Sequence, residues 1–365
     1  MTPSFDAIAI GGGLAGCAFA ITMARAGRKV AVIERTRVAL PKVCGDFLSA
    51  EALVLLQRLG IDPDRLGGHG ITTFRMGLND SVVDAPLGFS GLGVSRLLLD
   101  ETLLSACAQA GVHVFRGQTV RAIEPTRGVV HVRTDEGRFN AACAALATGK
   151  HNLRAYPRKE SGPVAYKMTF EPDENARRML DGAVQLVLYD GGYAGACLVE
   201  GGGMTICWLA DEALMRDSDG RWQDQLAFLS QRSGPLSEAL RGSKPMYARP
   251  AAIAAVPFGY KRRELIEPRF YPVGDQLAVI PPLAGDGTSI ALKSGIDAAE
   301  AALSGKPAGI FQQAFLRRLR GQFGWASAVE ATFGSRFGRR TAIRSVRVFP
   351  QLATWLTQRT RLSGV

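Results

Sequence analysis

The order of apolar and polar residues predicts a βαβ unit at the beginning of the chain. Residues 5–10 form a short apolar run typical of a buried strand, and a cluster of glycines follows it directly. The alanine-rich segment 14–26 has the composition of a buried helix and stops at Gly27, after which the apolar run 29–33 predicts a second strand. A strand, a helix and a strand within about thirty residues are typical of a parallel sheet.

Further elements of this first pattern are spread along the chain. Ser49 is predicted to cap a helix that runs to about residue 59, and Ser95 a helix that runs to about residue 110. The segment 288–303 predicts a long helix, and the residues after it have a helical composition. Strands are predicted at residues 71–76, 81–85, 112–115, 119–123, 129–134, 142–147 and 270–273.

A different pattern fills the middle of the chain, where longer runs alternate between apolar and polar residues. Strands of this kind are predicted at residues 164–170, 183–189, 194–199 and 204–210. Their alternation favours an antiparallel sheet with one face available to a ligand. Because the first pattern resumes at residue 270, we expect this sheet to be inserted into the first domain.

Together these patterns predict an α/β fold with a Rossmann-like nucleotide-binding domain, an inserted antiparallel β-sheet and a helical C-terminus. The nucleotide-binding domain is expected to be discontinuous, because the inserted sheet interrupts it. The predicted bounds are residues 1–76, 93–160 and 258–305 for the nucleotide-binding domain, residues 77–92 and 161–257 for the substrate-binding sheet, and residues 306–365 for the basic helical C-terminal region.

Cysteine usage and the N-terminal apolar segment both favour an ordinary cytoplasmic protein. The six cysteines include no CxxC pair and no neighbouring histidine cluster, which argues against a zinc site or a disulfide framework. Residues 7–24 carry no charge and approach the length of a membrane span. The glycines within them, and the lack of a preceding basic region, favour a nucleotide-binding turn instead.

Positive charge is concentrated at the C-terminus. Residues 315–365 contain ten arginines and one acid, Glu330, so they carry +9 of the formal net charge of +11. Arginines interleaved with aromatic and aliphatic residues favour contact with an anionic membrane surface or an acidic carrier protein. A solvated basic helix face is the alternative, and nucleic acid is disfavoured because no recognition motif accompanies the charge.

The glycine cluster has the spacing of a dinucleotide-binding turn. Gly11, Gly13 and Gly16 lie between the first strand and the first helix, where they let the backbone approach a pyrophosphate at the helix N-terminus. Glu34 ends the second strand, where a carboxylate accepts hydrogen bonds from ribose hydroxyls. The strand, the helix and the acid together predict an adenine dinucleotide.

Two segments near residue 280 identify the dinucleotide as FAD. Residues 271–275 and 281–288, followed by a helix, resemble the second fingerprint of the para-hydroxybenzoate hydroxylase and geranylgeranyl reductase superfamily. The resemblance implies an FAD-binding domain of the GR2 type, in which Asp275 holds the ribityl chain. It also implies that Gly285 and Gly287 begin a helix directed at the flavin pyrimidine ring, where a helix N-terminus stabilises negative charge.

Weaker parts of the resemblance fall between the two fingerprints. Arg96 matches an arginine that helps hold the cofactor, although a solvated arginine at a helix start is the alternative. The Cys44–Gly45 pair resembles the geranylgeranyl reductase pattern beside the flavin ring, with Asp46 where the family usually has glycine. Cys44 is thus a catalytic candidate that lines the flavin or supplies a proton, or it is simply a small buried cysteine.

Two aromatic residues are candidates for contact with a substrate. Tyr193 is the one aromatic residue retained from a signature that lies over the substrate cavity in the reductases, and Trp208 is expected to restore an aromatic wall from the next strand. Ordinary sheet packing is the alternative for both. In the place of an Asp-Gly motif found in aromatic hydroxylases, the chain has Thr148 followed by Gly149.

The complete set of cofactor-binding residues follows from the glycine turn and from the resemblance. It is Gly11, Gly13, Leu14, Ala15, Gly16, Glu34, Arg35, Lys42, Cys44, Arg96, Val120, Thr148, Gly149, Gly274, Asp275, Pro282, Gly285, Gly287 and Thr288.

The preferred functional hypothesis is an FAD-dependent monooxygenase that acts on a hydrophobic aromatic or polyketide-like metabolite. The first alternative is a geranylgeranyl-reductase-like flavoenzyme that saturates isoprenoid or lipid C=C bonds. The second, from a different class, is an electron-transfer flavoprotein without its own substrate. Because the sequence has no second glycine fingerprint, the expected electron donor is either NAD(P)H or a reduced partner protein. The expected location is the cytoplasm, with contact to the membrane periphery through the basic C-terminus.

Overall fold

The computed structural model describes residues 2–126, 128–158, 162–265 and 267–362. Within these residues the chain forms two β-sheets, helices on both, and a group of helices at the C-terminus. The domain bounds predicted at residues 1, 160, 161 and 365 lie outside the described residues.

The strands largely follow the apolar runs of the sequence. They are β1 Ser4–Ile10, β2 Val30–Glu34, β3 Phe47–Leu48, β4 His69–Leu78, β5 Ser81–Gly93, β6 His113–Arg116, β7 Val120–Thr126, β8 Val129–Thr134, β9 Arg138–Leu146, β10 Val164–Glu171, β11 Ala183–Tyr189, β12 Gly192–Leu198, β13 Met204–Ala210, β14 Lys244–Pro245, β15 Ala251–Ile253 and β16 Phe270–Pro272.

The helices flank both sheets and make up the C-terminal region. They are α1 Leu14–Arg25, α2 Ala50–Arg58, α3 Arg96–Gln109, α4 Glu174–Leu180, α5 Glu212–Asp217, α6 Trp222–Ser230, α7 Gly234–Leu240, α8 Gly287–Leu303, α9 Ala308–Arg318, α10 Arg320–Gly334, α11 Arg336–Val348 and α12 Gln351–Arg359.

The first sheet has the parallel centre that the βαβ pattern predicts. Its strand order is β6-β2-β1-β9-β8-β7, and β16 also pairs with β9. β1 runs parallel to β2 and to β9, with Ile10 opposite Ile33 on one side and Leu146 on the other. β7, β8 and the start of β9 form an antiparallel meander. The carboxyl ends of β1, β2 and β9 therefore meet at one edge, where Gly11, Glu34 and Ala147 come together.

The second sheet differs from the prediction in two respects. Its order is β14-β10-β13-β12-β11-β4-β5-β3, with β15 beside β10. β11 runs parallel to β4, so the sheet is mixed rather than purely antiparallel. The sheet also contains β4 and β5 in full, so the domain boundary predicted after residue 76 falls within β4. The reason is that β4 also pairs with β11, which lies about a hundred residues later in the chain and cannot be foreseen from local alternation.

Helix α8 packs closely on α1 beneath the carboxyl edge of the first sheet. Gly295 of α8 makes this possible, because a Cβ atom there would overlap the carbonyl oxygen of Ala15. The two helices share the largest apolar core with α2 and α3. This packing sets the N-termini of α1 and α8 on the same side of the sheet.

The C-terminal helices cover one end of the second sheet. Thr354 of α12 donates a hydrogen bond to the carbonyl oxygen of Pro86 in β5. Ile343 and Val346 of α11 belong to an apolar core with Met76 of β4. None of the helices in the described part of the chain has the length and hydrophobicity needed to cross a bilayer.

Candidate active site

A large cavity lies between the carboxyl edge of the first sheet and one face of the second sheet. Its volume is about 1070 Å³, slightly above the range of roughly 300–1,000 Å³ for small-molecule sites. Of the residues predicted from the sequence, every one except Gly16 borders this cavity, although the Trp208 side chain packs on the other face of its strand. The tertiary structure therefore brings the two separated fingerprints to one place.

The three predicted glycines of the first turn have different physical roles. Gly11 has φ of 109°, and a Cβ atom there would overlap the carbonyl oxygen of Ala147. A Cβ atom on Gly16 would overlap the carbonyl oxygen of Gly11, so Gly16 is required for helix packing and does not line the cavity. Gly13 faces the open space at the start of α1, where the nearest atoms are the ends of Arg96 and Lys42. The α1 N-terminus is thus accessible to an anion.

Glu34 is a buried carboxylate fixed by the turns around it. Its Oε2 atom accepts a hydrogen bond of 2.8 Å from the Gly12 N–H, and its Oε1 atom accepts bonds from the backbone and hydroxyl of Thr36. Burial opposes ionisation, but Lys42 and these hydrogen bonds outweigh it and hold the pKa of Glu34 below its ordinary value. An ionised carboxylate has about four acceptor positions, and three are occupied here, so about one position remains for a ribose hydroxyl.

Two cations share one buried acid beside the α1 N-terminus. Arg96 donates to both carboxylate oxygens of Asp100, at 3.0 and 3.1 Å, and Lys42 Nζ lies 2.6 Å from Asp100 Oδ2. Burial alone would lower the pKa of Arg96, but Asp100 outweighs it and raises that pKa, so the guanidinium is charged. The ends of Arg96 and Lys42 lie next to Gly13 at the start of α1, which suits a pyrophosphate.

The second fingerprint forms the opposite end of the cofactor region. Gly285 has φ of 61°, a left-handed conformation that favours glycine, and α8 begins at Gly287. Asp275 lines the cavity and forms an ion pair of 3.2 Å with Lys150. Asp275 and the N-terminus of α8 therefore border the same cavity.

Asp286 is a structural residue of this turn that the sequence interpretation missed. Its carboxylate accepts hydrogen bonds from Ser49, Gln322 and the backbone of Leu362. Burial raises the pKa of Asp286, while nearby Arg361 acts in the opposite direction. The prediction that the Ser49 hydroxyl caps α2 is wrong in this detail, because the hydroxyl is engaged by Asp286 instead.

Asp46 is the second missed residue, and it fixes the loop that carries Cys44. It is almost fully buried, with a positive φ of 54°, where the family usually has glycine. Its carboxylate forms an ion pair with buried Lys167 of β10 and accepts a hydrogen bond of 2.8 Å from Thr205 of β13. Burial raises the pKa of Asp46 and would lower that of Lys167, but Asp46 outweighs burial and raises the pKa of Lys167. In the sequence, an aspartate at a position where the family usually has glycine was the signal that could have revealed this residue.

The wall of the cavity formed by the second sheet is mostly apolar and carries one thiol, that of Cys207, and one phenol, that of Tyr193. Cys207 donates a hydrogen bond to the carbonyl oxygen of Cys44, and burial raises the pKa of the Cys207 thiol to about 12. The hydroxyl of Tyr193 is buried and has no hydrogen-bond partner in the described structure. Burial raises the pKa of Tyr193 well above its ordinary value, so the phenol stays protonated.

Trp208 does not form the aromatic wall that the sequence suggested. Its strand borders the cavity, but its indole N–H donates to Gln225 at 2.9 Å and its ring stacks on Tyr166. Successive side chains of a strand alternate between faces, and Cys207 and Leu209 occupy the cavity face of β13. Trp208 therefore packs on the other face, beneath the helices α5 and α6.

The remaining predicted residues lie around the end of the cavity near Glu34. Thr148 donates its hydroxyl hydrogen bond to the carbonyl oxygen of His151, and Arg35 contacts the ring of the same histidine. Burial lowers the pKa of His151, and the positive charge of nearby Arg35 lowers it further. Val120 and Gly149 line the cavity through β7 and the turn after β9. No group of residues in the described part of the chain has the composition of a metal site.

Comparison with known proteins agrees with this arrangement. A family model for an FAD binding domain matches residues 4–141. The menaquinone reductase of Mycolicibacterium smegmatis is 26% identical over 328 residues, which cover 84% of this chain and 78% of that protein.

Solved structures of flavin-dependent halogenases have the same fold. The halogenase PltM in complex with phloroglucinol and FAD superimposes with a TM-score of 0.77 at 14% identity, covering 97% of this chain and 85% of PltM. The myxobacterial chondrochloren halogenase CndH gives a TM-score of 0.77 at 19% identity, covering 99% of this chain and 92% of CndH. The predicted fold class is thereby confirmed.

The glycine turn, the two cations at Asp100 and the remaining acceptor position of Glu34 fit the adenine half of FAD, and the start of α8 fits its flavin half. The family match and the fold agree with that fit. Residues 4–141 therefore contain an FAD-binding domain, and the chain is an FAD-dependent oxidoreductase.

Proposed function

We propose that this protein is an FAD-dependent monooxygenase that hydroxylates an apolar aromatic substrate carrying a polar oxygen. The observation that carries the proposal is the Tyr193 hydroxyl, which is buried without a partner on the cavity face of the second sheet. An unsatisfied buried hydroxyl costs about 1–3 kcal/mol, and a ligand oxygen would remove that cost. The side chains of Leu209, Ile253 and Phe258, which line the same cavity, are apolar and suit a hydrophobic substrate body.

The residues of the cavity divide between binding the cofactor and enclosing the substrate. Glu34 would accept hydrogen bonds from the ribose, and Arg96 and Lys42 would neutralise the pyrophosphate beside Gly13. Asp275 would hold the ribityl chain, and the N-terminus of α8 would face the flavin pyrimidine ring. When bound, FAD supplies the electron transfer and the reaction with oxygen. The second sheet would position the substrate and exclude water.

The lining on the substrate side suits hydroxylation. The described residues of the second-sheet wall include the apolar side chains Leu209 and Ile253. Hydroxylation requires the protein mainly to position the substrate and to exclude water, since the cofactor carries the chemistry.

Isotope labelling tests this proposal. The FAD-loaded protein is supplied with NADPH, or with a flavin reductase and NADH, under ¹⁸O₂ with 4-dodecylphenol as the probe. One oxygen atom should enter the phenol and the other should leave as water, with two electrons taken from the nicotinamide or the partner protein. A hydroxylated product without ¹⁸O, or consumption of the probe without oxygen, would contradict a monooxygenase.

A reductase of isoprenoid or lipid C=C bonds is the second candidate. The observation in its favour is the similarity to menaquinone reductase over 84% of the chain. Photoreduced, oxygen-free protein is mixed with menaquinone-4, and the side chain is analysed by mass spectrometry. A gain of two hydrogen atoms would favour the reductase, whereas an unchanged side chain favours the monooxygenase. An electron-transfer protein is less well supported, because the cavity extends from the cofactor residues to Tyr193 and Leu209.

A further inference from the structure

Helix α11 exposes a face on which apolar side chains lie beside arginines. Phe337 is 82% exposed, Val348 is 67% exposed and Phe349, directly after the helix, is 65% exposed. At about 100° per residue, Phe337, Arg344 and Val348 fall within an arc of about 40° on the helix surface. Exposed residues Arg340 and Arg347 border this arc. We call Phe337, Arg340, Arg344, Arg347, Val348 and Phe349 the C-terminal face.

The opposite side of α11 is anchored to the rest of the protein. Ile343 and Val346 are buried in the apolar core that contains β4 and β5. Arg339, also on the inner side, is buried and forms an ion pair with Asp190. The helix is therefore held in place through its inner side, and the C-terminal face projects away from the core.

The arginines of this face are not neutralised by the protein. In the described part of the C-terminal region, ion pairs are formed by Arg318, Arg339 and Arg361. Arg340, Arg344 and Arg347 form none among the described residues. Acidic residues do line a neighbouring cleft with Arg336 and Arg340, at the start of the helix. The unbalanced positive charge is consequently strongest towards Arg344 and Arg347.

We propose that the C-terminal face docks on an anionic lipid bilayer. Phenylalanine and valine side chains would enter the boundary between headgroups and acyl chains, and the arginines would contact lipid phosphates. A bilayer accounts for both features, because it offers apolar depth directly beneath a layer of negative charge. The proposal is independent of the reaction at the flavin, since α11 forms no part of the large cavity.

Vesicle cosedimentation of the full-length, FAD-loaded protein tests this docking. We expect binding to vesicles of 70% phosphatidylcholine and 30% phosphatidylglycerol, and much weaker binding to phosphatidylcholine alone. Neutralising one arginine should lower the partition coefficient about fivefold, so Arg340→Gln, Arg344→Gln and Arg347→Gln together should lower it about a hundredfold. Replacing Phe337 and Phe349 by serine should also weaken binding, while the FAD absorbance stays unchanged.

The matched control removes the same charge from other surfaces. Arg28, Arg138 and Arg263 are exposed and lie outside the C-terminal region, so replacing all three by glutamine should lower binding far less. Equal loss in the two triple variants, equal binding to both vesicle types or no binding at all would overturn the proposal. Sedimentation velocity distinguishes docking on lipid from self-association. If the natural protein is a dimer and the Phe337→Ser variant is a monomer, a second copy of the chain covers this face.

Discussion

Asp46 and Lys167 form an ion pair whose two side chains are almost entirely removed from solvent. The pair joins the loop that carries Cys44 to strand β10 of the second sheet, and it is reinforced by the Thr205 hydroxyl. A carboxylate and an ammonium group at such a place depend on each other, because a single buried charge has no water to stabilise it.

Removal of one partner of this pair should be more damaging than removal of both. We expect Lys167→Met to lower the free energy of unfolding by about 3–5 kcal/mol, because it leaves the Asp46 carboxylate buried without its cation. The double variant with Asp46→Gly should recover much of this loss, since glycine also tolerates the positive φ at residue 46. Urea unfolding of both variants measures the difference. Additive losses would contradict a coupled pair.

Glu34 should contribute strongly to cofactor affinity. Glu34→Gln removes a charged acceptor from the Gly12 N–H and from the ribose, and hydrogen bonds to charged groups contribute about 1.5–3 kcal/mol. The dissociation constant of FAD should therefore rise about tenfold to a hundredfold. Fluorescence titration of the apoprotein with FAD provides the measurement. An unchanged dissociation constant would remove Glu34 from the cofactor site.

The depressed pKa of Glu34 also predicts a pH dependence of stability. Because the folded pKa lies below the ordinary value of 4.5, the contribution of this carboxylate is fully present above that value. It is lost as the pH falls further, through the folded pKa. Apoprotein stability measured in urea between pH 7 and pH 3.5 should decline less steeply in Glu34→Gln than in the natural protein. If the two proteins lose stability with pH at the same rate, Glu34 has the same pKa in the folded and the unfolded state.

Gly16 should not tolerate a side chain, although it does not line the cavity. In Gly16→Ala the methyl group would overlap the carbonyl oxygen of Gly11, so α1 would have to move away from β1. We expect a loss of several kcal/mol of stability, or no folded protein, together with loss of FAD. Gly321→Ala is the matched control, because nothing lies within 4 Å of a Cβ atom there. That helical change should be neutral or stabilising by up to about 1 kcal/mol.

Tyr193→Phe separates a substrate contact from a packing role. Removing a buried hydroxyl that has no partner should leave the free energy of unfolding unchanged or raise it by about 1–3 kcal/mol. If the hydroxyl binds the substrate oxygen, KM should rise about tenfold while FAD affinity is retained. If the KM of the variant equals that of the natural protein, Tyr193 only packs in the sheet. Cys44→Ser, with FAD retained, tests in the same assay whether the thiol takes part in turnover.

The local sequence determined the elements and the cofactor. The first βαβ unit, the glycine turn and Glu34 follow from short-range spacing, because a backbone that approaches a pyrophosphate needs glycines at fixed positions. The longer strands of the second sheet were also predictable, since alternation has a period of two residues wherever one face is buried, whereas the short strands β3, β14 and β15 were not predicted. Residues 271–288 added FAD through their resemblance to a known fingerprint.

Only the tertiary structure decided which side chains meet. The pairing of β11 with β4, the ion pair between Asp46 and Lys167 and the engagement of Ser49 by Asp286 all join residues more than a hundred positions apart. Local propensity carries no information on such contacts, because they depend on how the two sheets pack against each other. The same reason explains the position of Trp208. The register of β13 in the sheet determines that its ring lies on the face covered by helices.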